Sequence, residues 1–429
     1  MRRVLLAPML LAACGGDDAA GVDAPVRQPT PDLTRDIVST QLALDLTARS
    51  GTATIALAPS TGDGATLEVG DLDIRAVRAG GADLAFARDG AHLDLAVGPE
   101  ATTVAIDYGW SLHDQSDGAA TAGYTLTWPY YCGNLFPCHS LPADGSTFAL
   151  AITGVPAGDT AVYPPTIPTD AAAYQLAWAV GPYVETTLGT TTAGTRVATW
   201  AYATEATAMA TGTRHLVAGF DWMEQHVGPY AFGGTVGSVS AHWGGGAYGG
   251  MEHHPRWHIA SDALGDQSVH LHEAAHGWFG DGVRLACWED FALSEGAATY
   301  YEARLAEEVG DAGDGTSAWA DLDRELTAMR NGGGAGVAWP QSCNAIDVLT
   351  IFSRVPYVKG ALWLRAVERK ITRPVFDQAM RAFYAAHGGK AASITDLVTA
   401  FRDASGYDAT ACAQSWLAQR PVPTDLTCP

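Results

Sequence analysis

His272-Glu273-Ala274-Ala275-His276 carries the side chains best suited to chemistry in this 429-residue chain. On a helix, four-residue spacing puts His272 and His276 on one face, where two imidazoles can close on a single zinc ion. Glu273, one step round the helix, is placed to take a proton from a water at that metal. Gly277-Trp278-Phe279-Gly280-Asp281-Gly282 then supplies the glycines and aspartate that end a helix. A second helical pattern opens at Trp288 to Leu293 and carries Ser294-Glu295-Gly296. The chain between His276 and Glu295 is long enough to turn and bring a carboxylate back on an antiparallel helix. Two neutral imidazoles and one carboxylate, His272, His276 and Glu295, leave a fourth position open, which is the pattern of a catalytic rather than a structural zinc.

The run resembles the M1 family of zinc aminopeptidases, the gluzincins, in which an HExxH-x-W-F-G helix precedes a third ligand followed by glycine. Gly249-Gly250-Met251-Glu252-His253 resembles that family's G-x-M-E-N segment, and Tyr357-Val358-Lys359-Gly360 resembles its Y-x-K-G segment. The resemblance extends weakly over residues 33 to 429. It implies one Zn2+ per chain, a thermolysin-like catalytic domain, and a Tyr357 phenol aimed at the oxyanion of the tetrahedral intermediate. It also implies that Glu252 holds the substrate's free amino group. Gly249 and Gly250 would let backbone approach a ligand closely, as suits an edge strand that pairs with an extended peptide beside Met251.

The chain departs from the family pattern in places. His253 stands for the family's usual Asn, and Ser294 for the Asn that commonly precedes the third ligand. Tyr130 to His139 resembles the segment ending F-P-C-x-D, and by that alignment the position of an amine-holding Gln or Glu falls on Trp128. An indole cannot accept from an ammonium and can only stack on it. Glu302, seven residues after Glu295, shares its helical face and could orient a ligand histidine through the other ring nitrogen.

The elements that must position these groups fall into two domains. Two-residue alternation in Thr40 to Leu46 and Thr52 to Leu57 predicts strands. Others are expected near Leu72 to Val77, Leu93 to Val97, Thr103 to Tyr108, Phe148 to Thr153 and Gln175 to Val180. The fold expected is α+β: an all-β domain over 33–204, then a mainly helical, thermolysin-like zinc-metallopeptidase domain over 205–429. Ala206 to His226, Gln267 to Phe279, Asp290 to Val309, Ser317 to Arg330, Ala361 to Ile371, Arg373 to His387, Ser393 to Ala404 and Thr410 to Gln419 read as helices. Val236 to Ser240 and Trp257 to Ala260 read as strands around the turn Gly244-Gly245-Gly246. Trp416-Leu417 with Pro421 and Pro423 resembles the usual end of the M1 catalytic domain, so the further C-terminal helical domain of many members is expected to be absent.

Met1 to Ala13, with two arginines and an apolar core before Cys14, reads as a lipoprotein signal that leaves Cys14 lipidated. Residues 15–32, rich in Gly, Asp and Pro, read as a disordered tether. Membrane attachment is then expected through the N-terminal lipid alone, on the exported side of a bacterial envelope. The seven cysteines less Cys14 leave six, which admit 15 connectivities. Proximity favours Cys132 with Cys138 and Cys412 with Cys428, leaving Cys287 for Cys343. A formal charge of -22 speaks against nucleic acid as a partner. The expected partner is a peptide. The reading is an aminopeptidase; the alternatives are an endopeptidase or another hydrolase on the same site, or a non-catalytic surface protein that keeps a peptidase fold.

Overall fold

The computed structural model describes residues 27–114, 117–127, 131–244, 249–332, 336–343 and 353–429. The first unit is built on a seven-stranded sheet. Its strands lie in the order Thr166–Ala171, Ser146–Thr153, Ile37–Asp45, Ser50–Leu57, Thr102–Gly109, Asp73–Ala79 and Ala82–Asp83. Alternation on Ile37–Asp45 buries Thr40, Leu42 and Leu44 while Gln41 and Ala43 face outward. A three-stranded sheet of Ala65–Glu68, His92–Leu95 and Phe86–Asp89 supplies Leu67, Leu93 and Leu95 to the same core. Strand-period alternation is what a sheet with one wet face requires. Of the seven expected strands, the last differs: Ala173–Gln175 is a 3-10 turn and only Ala179–Gly181 pairs as strand.

The expected tether runs too far. Residues 27–32 lie against the first unit, where Asp32 N donates to Thr66 Oγ1 at 2.9 Å and Thr66 N to Asp32 O at 2.8 Å. Backbone pairing of this kind leaves no trace in composition.

The second unit holds a five-stranded sheet in the order Tyr183–Thr190, Arg196–Tyr202, Thr235–Ala241, His258–Ala260, Gly250–Met251. Arg196–Tyr202 pairs in parallel with Thr235–Ala241, so the hairpin 183–202 belongs to this sheet. The join expected at 204/205 therefore falls inside the second unit. The change of period at Glu205 marks a change of secondary structure, not of domain.

Around this sheet pack helices α1 (Ala206–Gly212), α2 (Leu216–His226), α3 (Gln267–Ala275), α4 (Phe291–Val309), α5 (Asp314–Gly332), α6 (Arg354–Ile371), α7 (Arg373–His387) and α8 (Ile394–Ser405). The single helix expected over 206–226 is thus two. At Gly212, where α1 stops, an added Cβ would lie 2.3 Å from Leu264 O and 2.7 Å from the His270 ring. Helix α6 begins seven residues earlier than its apolar periodicity predicts, because Ser353 caps it and Pro356 is tolerated in a first turn. Tyr357 is consequently a helix residue. The C-terminal helix is Thr410–Ala413 followed by a π-helical turn at Gln414–Ala418.

Three disulfides join Cys132 to Cys138, Cys287 to Cys343 and Cys412 to Cys428, with Cα atoms 6.2, 5.5 and 5.1 Å apart. The two units also lock through Arg284, a buried residue whose guanidinium donates to Asp170 O at 2.6 Å and Gly389 O at 3.1 Å.

Candidate active site

Helix α3 starts at Asp266, whose side chain accepts from Ser268 N, and stops one residue before His276. The predicted continuation to Phe279 does not form. His276 O instead accepts from Asp281 N and Gly282 N, at 3.2 and 3.3 Å, and the turn this needs is made at Gly280 with φ +107°. His276 so sits at the helix end, but its ring still points the same way as that of His272.

The ring nitrogens explain why. His272 Nδ1 meets Glu302 Oε2 at 3.2 Å, and His276 Nδ1 meets Phe279 O at 3.0 Å. With both Nδ1 atoms engaged by acceptors, the Nε2 lone pairs converge. The two Nε2 atoms are 3.2 Å apart, and Glu295 Oε2 lies 3.1 Å from His272 Nε2 and 3.5 Å from His276 Nε2. Ligands about 2.05 Å from a tetrahedral zinc stand about 3.3 Å from one another, so the three donors have the spacing of a zinc triad. Outward hydrogen bonds from ligand imidazoles are the usual means of fixing their tautomer.

The electrostatics favour a cation at the same point. Burial works against charge on His272, but hydrogen bonds to Glu295 and Glu302 push it well above the usual imidazole range. Burial likewise opposes His276, and Glu295 and Glu252 still raise it to about 9. Burial would raise Glu295, yet the two imidazoles hold it down to about 2. The surrounding carboxylates thus reward positive charge placed between the rings, and a divalent ion would supply it.

Glu273 and Glu252 complete the inner wall. Ligand atoms of Glu252, Glu273 and His276 all lie within 4.8 Å of one another. Burial, the largest influence, pushes Glu273 up to about 8 against the pull of both imidazoles, with Glu252 and Glu295 adding to the rise. Its Oε2 is buried without a hydrogen-bond partner among the described residues, while Oε1 faces Gly250. A Cβ on Gly250 would lie 2.4 Å from that Oε1, so only glycine lets the edge strand pass this carboxylate. Gly249, Gly250, Met251 and Glu252 line the same cavity of about 740 Å³ as His272, His276, Glu295 and Tyr357.

Tyr357 lies over His272, ring centroids 5.9 Å apart and 15° from parallel. Burial first, then the carboxylates of Glu295, Glu252 and Glu273, hold its phenol well above the usual tyrosine value, so it stays a donor. Its position depends on two glycines. A Cβ on Gly296 would come 2.6 Å from Gly360 Cα, and the reverse contact is equally short. Helices α4 and α6 therefore cross backbone to backbone, one residue after Glu295 and three after Tyr357. Lys359 is buried and braces the arrangement by donating to Gly336 O at 3.0 Å and Gln419 O at 2.6 Å.

The structure brings together all the residues expected at the centre. Trp128 and Cys14 lie outside the described residues, as do Gly245 and Gly246. His253, in the place of the family's usual Asn, pairs with His258 instead, Nδ1 to Nδ1 at 3.3 Å, and both rings are buried. Sequence reasoning missed Tyr174, whose hydroxyl donates to Asp281 Oδ1 at 2.9 Å across the two units. It also missed His254, which bridges Glu273 O at 2.7 Å and the Tyr230 hydroxyl at 2.8 Å. Neither has a local signal, since each partner is distant in the chain.

Residues 252–416 match the peptidase family M1 domain. That stretch, which holds the triad and Tyr357, carries a peptidase family M1 domain. Among relatives of this chain are leucine aminopeptidase 2-1 of Meyerozyma guilliermondii, 33% identical over 150 residues, and leucine aminopeptidase 2 of Candida glabrata, 26% identical over 307 residues. The first alignment covers 32% of this chain and 24% of the relative, the second 64% and 45%. The chain thus spans less than half the length of these curated relatives. In fold it is similar to an M1 zinc metallopeptidase from Deinococcus radiodurans, in a mutant form bound to a Tyr-Ser-Ala substrate. That likeness has a TM-score of 0.79 at 22% identity and covers 92% of this chain and 96% of the other. Family and fold together imply zinc at the triad.

Proposed function

We propose that this chain is a zinc aminopeptidase that removes the first residue of peptides, with one zinc held by His272, His276 and Glu295. The observation that carries the reading is the buried Glu252 carboxylate within 4.8 Å of Glu273 and His276, on the cavity wall beside the edge strand Gly250–Met251. A carboxylate there matches the positive charge of a free amino terminus. The names of the relatives, and the tripeptide bound by the structural neighbour, support the same reading.

Zinc, when bound, supplies Lewis acidity to the scissile carbonyl and to the attacking water. The chain's residues do the rest. Glu252 holds the substrate ammonium by a charge-assisted hydrogen bond. The free edge of Gly250–Met251 pairs with the substrate backbone and sets its first carbonyl over the triad. Glu273 Oε2 takes a proton from the attacking water and returns it to the leaving amine. Tyr357 donates to the developing oxyanion, a task for which its phenol remains protonated at neutral pH.

The test is the amino terminus. Peptides with a free terminus should be cut at the first bond, and acetylation should lower the rate tenfold to a hundredfold, about 1 to 3 kcal/mol. Glu252→Ala should slow cleavage of free peptides and narrow the gap to acetylated ones. Equal cleavage of acetylated peptides, or internal cuts, would replace this reading with an endopeptidase.

We further infer export and lipid anchoring through Cys14. Three paired disulfides support an oxidising compartment. Among the described residues no helix is long and apolar enough to cross a membrane. Cells fed a labelled fatty acid should label the wild-type chain and not Cys14→Ala; equal labelling would remove the anchor.

A further inference from the structure

The cavity has two ends. Glu252 clusters with Glu273 and His276, whereas Glu302 meets His272. If the substrate amine sits at Glu252, as the aminopeptidase reading on which this inference rests requires, the chain after the cut runs past His272 toward Glu302. Helix α4 forms that wall. Thr299 and Glu302 lie four and seven residues beyond Glu295, about 6 and 10.5 Å along the axis. The residue after the scissile bond advances only about 3.5 Å, so a long side chain there reaches the level of Thr299.

What it meets is acidic. Asp314, Asp321 and Glu325 of α5 line the cavity together with Glu302. The lining arginines are already matched. Arg354 forms two 3.1 Å hydrogen bonds to Glu325, and Arg214 lies 3.0 Å from Asp311 and 3.7 Å from Asp314. Among the described residues Asp321 is paired only with Arg324 of its own helix, which lies outside the cavity lining and has a side chain 77% exposed. A separate observation points to a ligand. Thr299 is 2% exposed, lines the cavity, and its hydroxyl has no hydrogen-bond partner among the described residues. A buried hydroxyl left unmatched is costly unless something that enters the site completes it.

We propose that this half of the cavity selects a basic side chain, lysine or arginine, at the residue following the scissile bond. The Thr299 hydroxyl accepts one N–H of the ammonium or guanidinium, and Asp321 supplies the opposing charge at the open side. Hydrolysis itself is unchanged: one peptide bond is broken and one water consumed.

The test uses zinc-loaded enzyme and three amidated peptides with free amino termini, Ala-Lys-Ala, Ala-Leu-Ala and Ala-Glu-Ala. The lysine peptide should lead the glutamate peptide about tenfold in kcat/KM, carried by KM, and the lead should shrink in 1 M salt. Asp321→Lys should reverse the order, and Thr299→Val, with zinc content checked, should raise KM for the lysine peptide above all. Rates equal within about twofold, or a glutamate lead, would overturn the proposal. The same peptides titrated against Glu273→Gln, which needs no turnover, should bind in the same order. Lysine-first binding with no hydrolysis by the wild type would sink the aminopeptidase reading while supporting this pocket; equal binding would sink the pocket alone.

Discussion

Glu295→Ala and His272→Ala should each come off purification without zinc, and with activity reduced on the order of a thousandfold or more. Either change leaves two donors, which hold zinc poorly because a three-donor site relies on every member. The Lewis acidity lost with the ion is a matter of several kcal/mol of transition-state stabilisation, and each 1.36 kcal/mol is a factor of ten. Glu295→Ala also removes the carboxylate that sits within 3.5 Å of both imidazoles. Elemental analysis should find one zinc per wild-type chain and almost none in the variants. Thermal melts give a second reading: ion that binds only the folded state at a thousand times its Kd stabilises by about 4.1 kcal/mol, so a chelator should lower the wild-type Tm and leave the variants unmoved. Full zinc occupancy in both variants would dismiss the triad.

The parts of this site legible in sequence are those set by local geometry. His272, Glu273 and His276 are within one helical turn or so, and helix pitch puts the two histidines on one face, although the Nδ1 contacts that aim their rings come from elsewhere. Alternation along Ile37–Asp45 and Ser50–Leu57 is similarly local, because a strand with one buried face must alternate. Contacts between distant segments carry no such period. The parallel pairing of Arg196–Tyr202 with Thr235–Ala241, which moves the hairpin 183–202 into the second unit, has no signature in either strand. The end of α3 at Ala275 depends on the turn at Gly280 returning two amides to His276 O, a tertiary choice among several glycines that could each have stopped the helix.

Glycines illustrate the same divide. Gly296 and Gly360 appear in sequence only as neighbours of Glu295 and Tyr357; in the fold each is the reason the other must lack a side chain. Their contact converts two separate motifs into one object, with the third ligand and the phenol fixed relative to each other by a backbone crossing. Tyr174 does the corresponding work from the β unit, reaching Asp281 in the turn that follows His276. The first unit, which has no catalytic constellation of its own, thereby bears directly on the metal-side turn.

Glu273→Gln should keep its zinc and lose about a hundredfold to ten-thousandfold in kcat. The amide occupies nearly the same volume, and the three donors do not include Glu273, so elemental analysis should match the wild type. What changes is proton transfer. Oε2 of Glu273 is buried with no partner among the described residues, whereas Oε1 is confined by Gly250 at a place where even one Cβ would come within 2.4 Å. The carboxylate therefore has one oxygen crowded by the edge strand and one left unmatched, as an acceptor awaiting a proton would be. A carboxamide in that place cannot take a proton, and its NH2 would offer a donor where an acceptor is needed. The loss should appear in kcat with KM nearly constant, since Glu252 and the edge strand, which hold the substrate, are untouched. A variant with wild-type zinc and near-normal kcat would assign the base elsewhere, and Glu252, within 4.8 Å of the same atoms, would be the first candidate.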